Sequence, residues 1–235
     1  MFTKKEGIHL AISILILTFI FGFDDGRETF IAKYWLLNLL GVFLIVTLSI
    51  LFREAMIKYK ASKHEAKSEY TIWNVKKFWF KGAESKKGMP FGILLALIVV
   101  IVSKGKLFFT AIGEHKLNEN IEHRTGRRRI HLQDYERAMI CLYSIWSGVI
   151  LAIIGAATGI KMLITINFFL IIFNYLPIGD LDGAKIFFGN LFLYVFNLIF
   201  LIIFFLLIQY TIIWALITAF LASMIISFIW YKKYN

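Results

Sequence analysis

Apolar residues fall in long blocks separated by short charged or polar stretches, the alternation of a polytopic α-helical membrane protein. The blocks 8–23, 35–52, 138–157, 163–178, 190–208 and 211–230 approach the roughly 20 residues that cross about 30 Å of hydrocarbon, which predicts about six transmembrane helices. At about 1.5 Å per residue, 190–230 as one helix would reach roughly 60 Å, so it must fold back near Gln209-Tyr210. The run 89–102 is too short to span and predicts a re-entrant or interfacial segment. Residues 66–81 mix β-branched and aromatic residues with polar ones and predict a short interfacial hairpin. The expected fold class is all-α, in three parts: 1–52 with two spans, 53–137 as a basic cytoplasmic or interfacial region, and 138–235 with four spans.

Composition and charge add a solvent and an orientation. Of the 235 residues 59% are hydrophobic and 17% aromatic, too apolar for a soluble domain and too rich in core formers for disorder. Lys and Arg number 26 against 15 Asp and Glu, a formal charge of +11. The excess lies in loops 53–87 and 104–137, the latter centred on Arg127-Arg128-Arg129, whereas 24–34 holds Asp24, Asp25 and Glu28. Positive loops face the cytoplasm, so both termini are expected inside, 89–102 enters and leaves on one side, and Lys232-Lys233 ends the last span at the inner face. The expected location is the cell (plasma) membrane. Basic residues beside apolar spans point to anionic membrane lipid as partner and away from nucleic acid. Lys4 and Lys5 ahead of 8–23 imitate a signal peptide, but Phe21-Gly22-Phe23-Asp24 has no small-x-small cleavage site, so an uncleaved span is expected. The single cysteine, Cys141, excludes a disulfide framework and a thiolate zinc site.

Chemistry concentrates in 174–185, Asn-Tyr-Leu-Pro-Ile-Gly-Asp-Leu-Asp-Gly-Ala-Lys. Asp180 and Asp182 at the end of a span are costly unless paired, hydrated or holding a cation. Pro177 and Gly183 break the helix around them, although a polar turn that merely ends a helix has the same composition. Other candidates carry less. His64-Glu65 lacks a second histidine and reads as solvated loop. His115, His123 and His131, eight apart in a basic loop, lack metal-ligand spacing and also read as loop, a metal site among them being the lesser alternative. His9 is expected at the interface. Trp73, Trp79, Trp230, Tyr231 and Tyr234 read as interfacial anchors. Gly155 and Gly159 suggest a close helix contact. Asp180, Asp182, Lys161 and Lys185 are the only elements of a small-solute or ion pathway.

Asn174, Pro177, Leu181, Asp182 and Gly183 form an Asn-x-x-Pro-x-x-x-Leu-Asp-Gly pattern. It resembles the third metal-ligand motif of the site-2 protease family of intramembrane zinc metalloproteases, and the match to small archaeal members continues through Lys185 and Phe187. That family also carries His-Glu-x-x-His on its second span, the histidines and the distant aspartate holding zinc while the glutamate is general base. Here the corresponding residues are Arg53-Glu54-Ala55-Met56-Ile57. The base position keeps Glu54, and Arg53 and Ile57 stand at the two ligand positions. The likeness runs over about 35–190, through Leu48–Phe52, 58–61, 107–114 and 136–138, with the usual Gly-Pro-x-x-Asn replaced by Ser144-Ile145-Trp146-Ser147-Gly148. It implies a site-2-protease-like core in which Asp182 is a vestigial ligand and Glu54 a vestigial base. Charge placement independently runs 35–52 and 163–178 inward, which puts Glu54 and Asp182 at one depth.

A catalytic zinc takes three protein ligands and an open position, and a guanidinium at a ligand position repels it. Without the metal, water keeps its high pKa and Glu54 has no nucleophile to generate. Arg53 is expected either to replace the cation, pairing with Asp182 or Glu54, or to snorkel to the headgroups. The reading that follows is a non-proteolytic pseudoenzyme that binds transmembrane segments of partner proteins and needs no cofactor. The alternative is an active zinc metalloendopeptidase with altered ligands, and a solute or ion pathway is third.

Overall fold

The computed structural model describes residues 3–27, 29–77, 84–119 and 131–234. Their elements are α1 (Lys4–Gly22), α2 (Ala32–Lys63), β1 (Ala66–Ile72), β2 (Val75–Lys77), β3 (Glu84–Met89), α3 (Phe91–Val102), β4 (Gly113–Glu119), α4 (Asp134–Thr158), α5 (Lys161–Asn174), α6 (Asp182–Gly189), α7 (Leu191–Leu207) and α8 (Ile212–Tyr234). The protein is mostly helical, and α1, α2, α4 and α8 are long and apolar enough to cross a membrane. The apolar helices α3, α5 and α7 are shorter, with 12, 14 and 17 residues.

Local chemistry sets the ends. At the start of α1 the Thr3 side chain accepts from the Glu6 amide while Glu6 accepts from the Thr3 amide, a reciprocal cap. α5 stops at Asn174, short of the expected 178, because Leu176 precedes Pro177 and the residue before a proline is driven out of the α region. The Asn190 side chain accepts from the Leu193 amide and starts α7. α7 and α8 are joined through residues 208–211, where the fold-back is expected. α2, with 32 residues, is about 48 Å long, so its last turns reach beyond hydrocarbon thickness, and what reads as the start of the basic loop 53–87 is helix as far as Lys63.

The expected hairpin within 66–81 is corrected. β1 pairs antiparallel with β4, from Ala66 opposite Glu119 to Ile72 opposite Gly113. Alternate residues Ala66, Ser68, Tyr70 and Ile72 are buried, so β1 has one covered face and needs a partner matched along its whole length. β4 supplies seven residues for that pairing. A local ribbon does form next, β2 with β3, whose connection 78–83 lies outside the described residues, as does Trp79. Three outward peptide groups of the β1·β4 ribbon are taken by side chains. The Tyr70 amide donates to Glu6 Oε1 (3.1 Å), and Lys58 Nζ donates to the Ser68 carbonyl (2.9 Å) while pairing with Glu6 at 2.6 Å. On the other edge Lys185 Nζ donates to the His115 carbonyl (2.7 Å).

α3 leaves the ribbon and the chain returns to it. A Cβ on Gly92 would lie 2.6 Å from the Ala111 carbonyl, whereas Gly105, at the far end with φ +80°, lies against Phe23 and Asp24. The returning leg is held by Thr110 Oγ1 donating to the Phe169 carbonyl (2.8 Å) and by Phe108 between Phe21 and Phe169. Residues 91–112 therefore leave the ribbon and return to it.

α4 is the central helix. Ile140, Ile145, Val149 and Ala152 pack with Phe200, Phe204 and Ile171 of its neighbours. Gly148 lets Ile171 approach so closely that a Cβ would lie 2.8 Å from it, and Gly155 meets Ile164 at 3.0 Å, so the expected small-residue contact is made with α5 while Gly159, at φ +74°, ends α4. Trp73 is corrected from an interfacial anchor: only 8% exposed, it packs with Ala111 and Leu181 and meets Phe91 edge-on. An apolar groove of about 1310 Å³ runs between α5, α7 and α8, lined among others by Ile164, Phe168, Ile172, Leu198, Ile202 and Ile217.

Candidate functional site: a buried charge cluster

Four elements bring one polar side chain or more to a common point under the ribbon. α2 contributes Arg53 and Glu54, neighbours about two-thirds of the way along it, 7% and 1% exposed because α2 packs there against α4 and β1. Ile57, at the second expected ligand position, is fully buried in the apolar cluster with Ala61 and Ile140. α6 contributes Asp182, its first residue. That residue is placed by the turn ahead of it. Asn174 Nδ2 donates back to the Leu170 carbonyl (2.7 Å), Pro177 ends α5, Leu181 is buried beside Trp73, and Gly183 lies so close to the Tyr175 carbonyl that a Cβ would sit 2.0 Å from it. Only glycine permits that return. β4 contributes His115, opposite Tyr70, whose ring meets the imidazole edge-on at 5.6 Å. α4 contributes Ser144.

Arg53 Nη2 donates to Asp182 Oδ2 at 2.8 Å. The His115 ring bridges the two carboxylates, with Nδ1 2.9 Å from Asp182 Oδ1 and Nε2 2.7 Å from Glu54 Oε1. Ser144 Oγ donates to Asp182 Oδ2, which also lies 3.1 Å from His115 Nδ1. Among the described residues Glu54 Oε2 and Arg53 Nε are buried without a partner.

The electrostatics follow from burial and pairing. Burial alone disfavours the imidazolium, but Asp182 and then Glu54 outweigh it and raise the His115 pKa from 6.5 to about 9. Burial likewise pushes the Asp182 carboxyl up, yet the charge and hydrogen bond of His115, with Arg53 and Lys185 beyond, hold it well below the usual range. The cluster thus sets Arg53 and His115 against Asp182 and Glu54. Nearby, burial and Asp180 raise the carboxyl of Glu114, which accepts from Thr71.

His115 corrects the sequence reading. It is 1% exposed at the centre of the cluster, not in solvated loop. No local signal marks it: Glu114 is buried along with His115 and Leu117, and the charged neighbours in the chain read as loop. Ser144 and Lys185 were legible only as a replaced motif and a motif flank. Other candidates lie elsewhere. His64 caps α2 and faces Glu136 at 3.7 Å, so it is not a free loop residue. His131 is exposed 4.0 Å from Glu119, His9 is partly buried on α1, and His123 lies outside the described residues, as do Glu28 and Arg127-Arg128-Arg129. Lys161 starts α5, about 20 Å along that helix from the end nearest Asp182, and Asp180 is exposed, so the four pathway elements do not line one route.

The cluster does not fit zinc as arranged. Histidine and carboxylate are donors zinc accepts at about 2.0–2.2 Å, but the imidazole turns opposite edges to Glu54 and Asp182, so the three do not converge on one point. The guanidinium against Asp182 adds charge repulsion. Among the described residues no group of three His, Cys, Asp or Glu side chains is disposed to hold a metal ion. In comparisons with known proteins, no protein-family model, no curated protein and no solved structure matches the chain.

Proposed function

We propose that this chain is a site-2-protease-like membrane protein with a non-proteolytic role, a pseudoenzyme that binds transmembrane segments of partner proteins. The observation that carries the reading is the buried Arg53 to Asp182 pair at 2.8 Å. A guanidinium occupies the one ligand that the resemblance leaves, so no metal-activated water is available to Glu54. In this reading α5 and α7 are short spans that complete six, with both termini cytoplasmic and the protein in the cell membrane.

The partner segment lies in the groove between α5, α7 and α8. The groove follows α5 from Lys161 to beyond Ile172, about 20 Å, most of the hydrocarbon thickness, and its walls are mainly aliphatic and aromatic. Glycine and alanine at 155 and 156 thin one wall, which favours a packed helix over a broad protein surface.

Two measurements test the reading together. Protein purified from zinc-supplemented cells is expected to carry no stoichiometric zinc, and a photo-crosslinker at Ile172 is expected to capture membrane proteins through their spanning segments. One equivalent of zinc, lost in Asp182→Ala, would establish instead the metalloendopeptidase with altered ligands, for which the imidazole and two carboxylates are the available donors. Crosslinking to lipid alone would remove the partner-binding role.

A further inference from the structure

We infer that His115 is a tethered occupant of the metal's place, and that it bars a divalent metal even when both helix histidines are restored. This rests on the site-2-protease-like reading and extends it: the obstacle to zinc is three residues, Arg53, Ile57 and His115, not two.

Position argues first. The ring lies between Glu54 and Asp182, 2.7 Å from one and 2.9 Å from the other, so it fills the space in which an ion would meet Asp182 and a water activated by Glu54. Zinc binds its ligands at about 2.0–2.2 Å, and the imidazole stands where such an ion would reach Asp182 Oδ1. Engagement of the ring argues next. Both ring nitrogens already have partners, Nδ1 with Asp182 at 2.9 Å and Nε2 with Glu54 at 2.7 Å. Replacing Arg53 removes the guanidinium and leaves both contacts intact.

Attachment argues third. His115 belongs to a strand paired with β1 over seven residues, and its carbonyl is held from the other side by Lys185 Nζ at 2.7 Å. The backbone is fixed at both edges. Tyr70 lies edge-on against the ring at 5.6 Å and the residue is 1% exposed, so the imidazole is packed in on the protein side. Ser144 completes the packing by donating to the same Asp182 oxygen that Arg53 engages.

The test is zinc stoichiometry of the full chain in detergent, by elemental mass spectrometry after a chelator wash. Arg53→His with Ile57→His is expected to retain less than about a tenth of an equivalent, and adding His115→Asn is expected to raise this at least about tenfold, towards one equivalent. Zinc is further expected to raise the melting temperature of the triple variant and not of the double. His115→Gln in the same background serves where the asparagine does not fold. If the double variant alone binds about one equivalent, His115 is no barrier and the inference fails while the site-2-protease-like reading stands. If the double and both triple variants are folded and none takes zinc, the framework is not that of a lost metal site, and both fall.

Discussion

Arg53 Nη2 and Asp182 Oδ2 lie 2.8 Å apart although 129 residues separate them, and both side chains are buried. The contact fastens the C-terminal half of α2 to the start of α6. Removing one partner of a buried pair leaves the other charge uncompensated, typically at a cost of about 3–5 kcal/mol. Arg53→Ala is therefore expected to destabilise the protein by about 3 kcal/mol, with Arg53→Lys recovering only part, since an ammonium lacks the planar fork. Thermal unfolding in detergent measures this. Thiol labelling gives a second readout, because Cys141 is fully buried one turn before Ser144 and is expected to react faster in the alanine variant. Equal stability of Arg53→Ala and the parent would show that the pair stabilises nothing.

His115 makes stability depend on pH. Its pKa rises from 6.5 to about 9 on folding, so the imidazolium stabilises the fold fully below about 6.5, and that contribution is lost as pH climbs through about 9. The span corresponds to about 3 kcal/mol. Asp182, lowered on folding, acts in the opposite direction: its contribution is present above 3.8 and declines as pH falls below it. Melting temperature is expected to be highest near pH 5–6.5 and to fall on the alkaline side, and His115→Asn should flatten the alkaline limb. An unchanged alkaline slope in that variant would assign the dependence to other groups.

Gly183→Ala is expected to abolish accumulation of folded protein, since its Cβ would sit 2.0 Å from a backbone carbonyl that cannot yield. Gly7→Ala, with nothing within 4 Å, is the matched control and should be neutral or slightly stabilising. Expression and size-exclusion profiles of the two separate a local steric demand from a general intolerance of substitution.

Much of this architecture could be read from hydrophobic blocks, because a spanning or buried helix announces itself by length and apolarity. Arg53, Glu54 and Asp182 could be nominated because they stand in motif positions. The ribbon and His115 could not. The partner of β1 lies more than 40 residues downstream across α3, and strand pairing at that distance leaves no local trace. His115 is flanked by Glu114 and Lys116, so its surroundings in the chain suggest solvent, while burial comes from α2, α4 and β1, none adjacent in sequence. Trp73 reads as interfacial for a related reason: Glu69, Lys76 and Lys77 lie within four residues of it in the chain, and only the fold brings Leu181 and Ala111 over it.

Glu6 joins three elements, being the cap partner of Thr3, the ion-pair partner of Lys58 at 2.6 Å and the acceptor of the Tyr70 amide. Glu6→Ala is expected to cost about 1–3 kcal/mol by removing the acceptor of the buried Tyr70 amide and the ion pair with Lys58. Glu6→Ala with Lys58→Met should be less destabilising than the sum of the two single changes. Hydrogen exchange at the Tyr70 amide gives a local reading, with faster exchange in Glu6→Ala. Strict additivity would place Glu6 and Lys58 in independent roles.

The charged caps on both edges of the β1·β4 ribbon also concern the protein's neighbours. An open strand edge is a template for aggregation, and at a bilayer, where water is scarce, a bare peptide group recruits any chain that passes. Lys58 and Glu6 on one side and Lys185 on the other occupy the outward groups of Ser68, Tyr70 and His115. At those three groups neither edge offers a free donor or acceptor to a further strand.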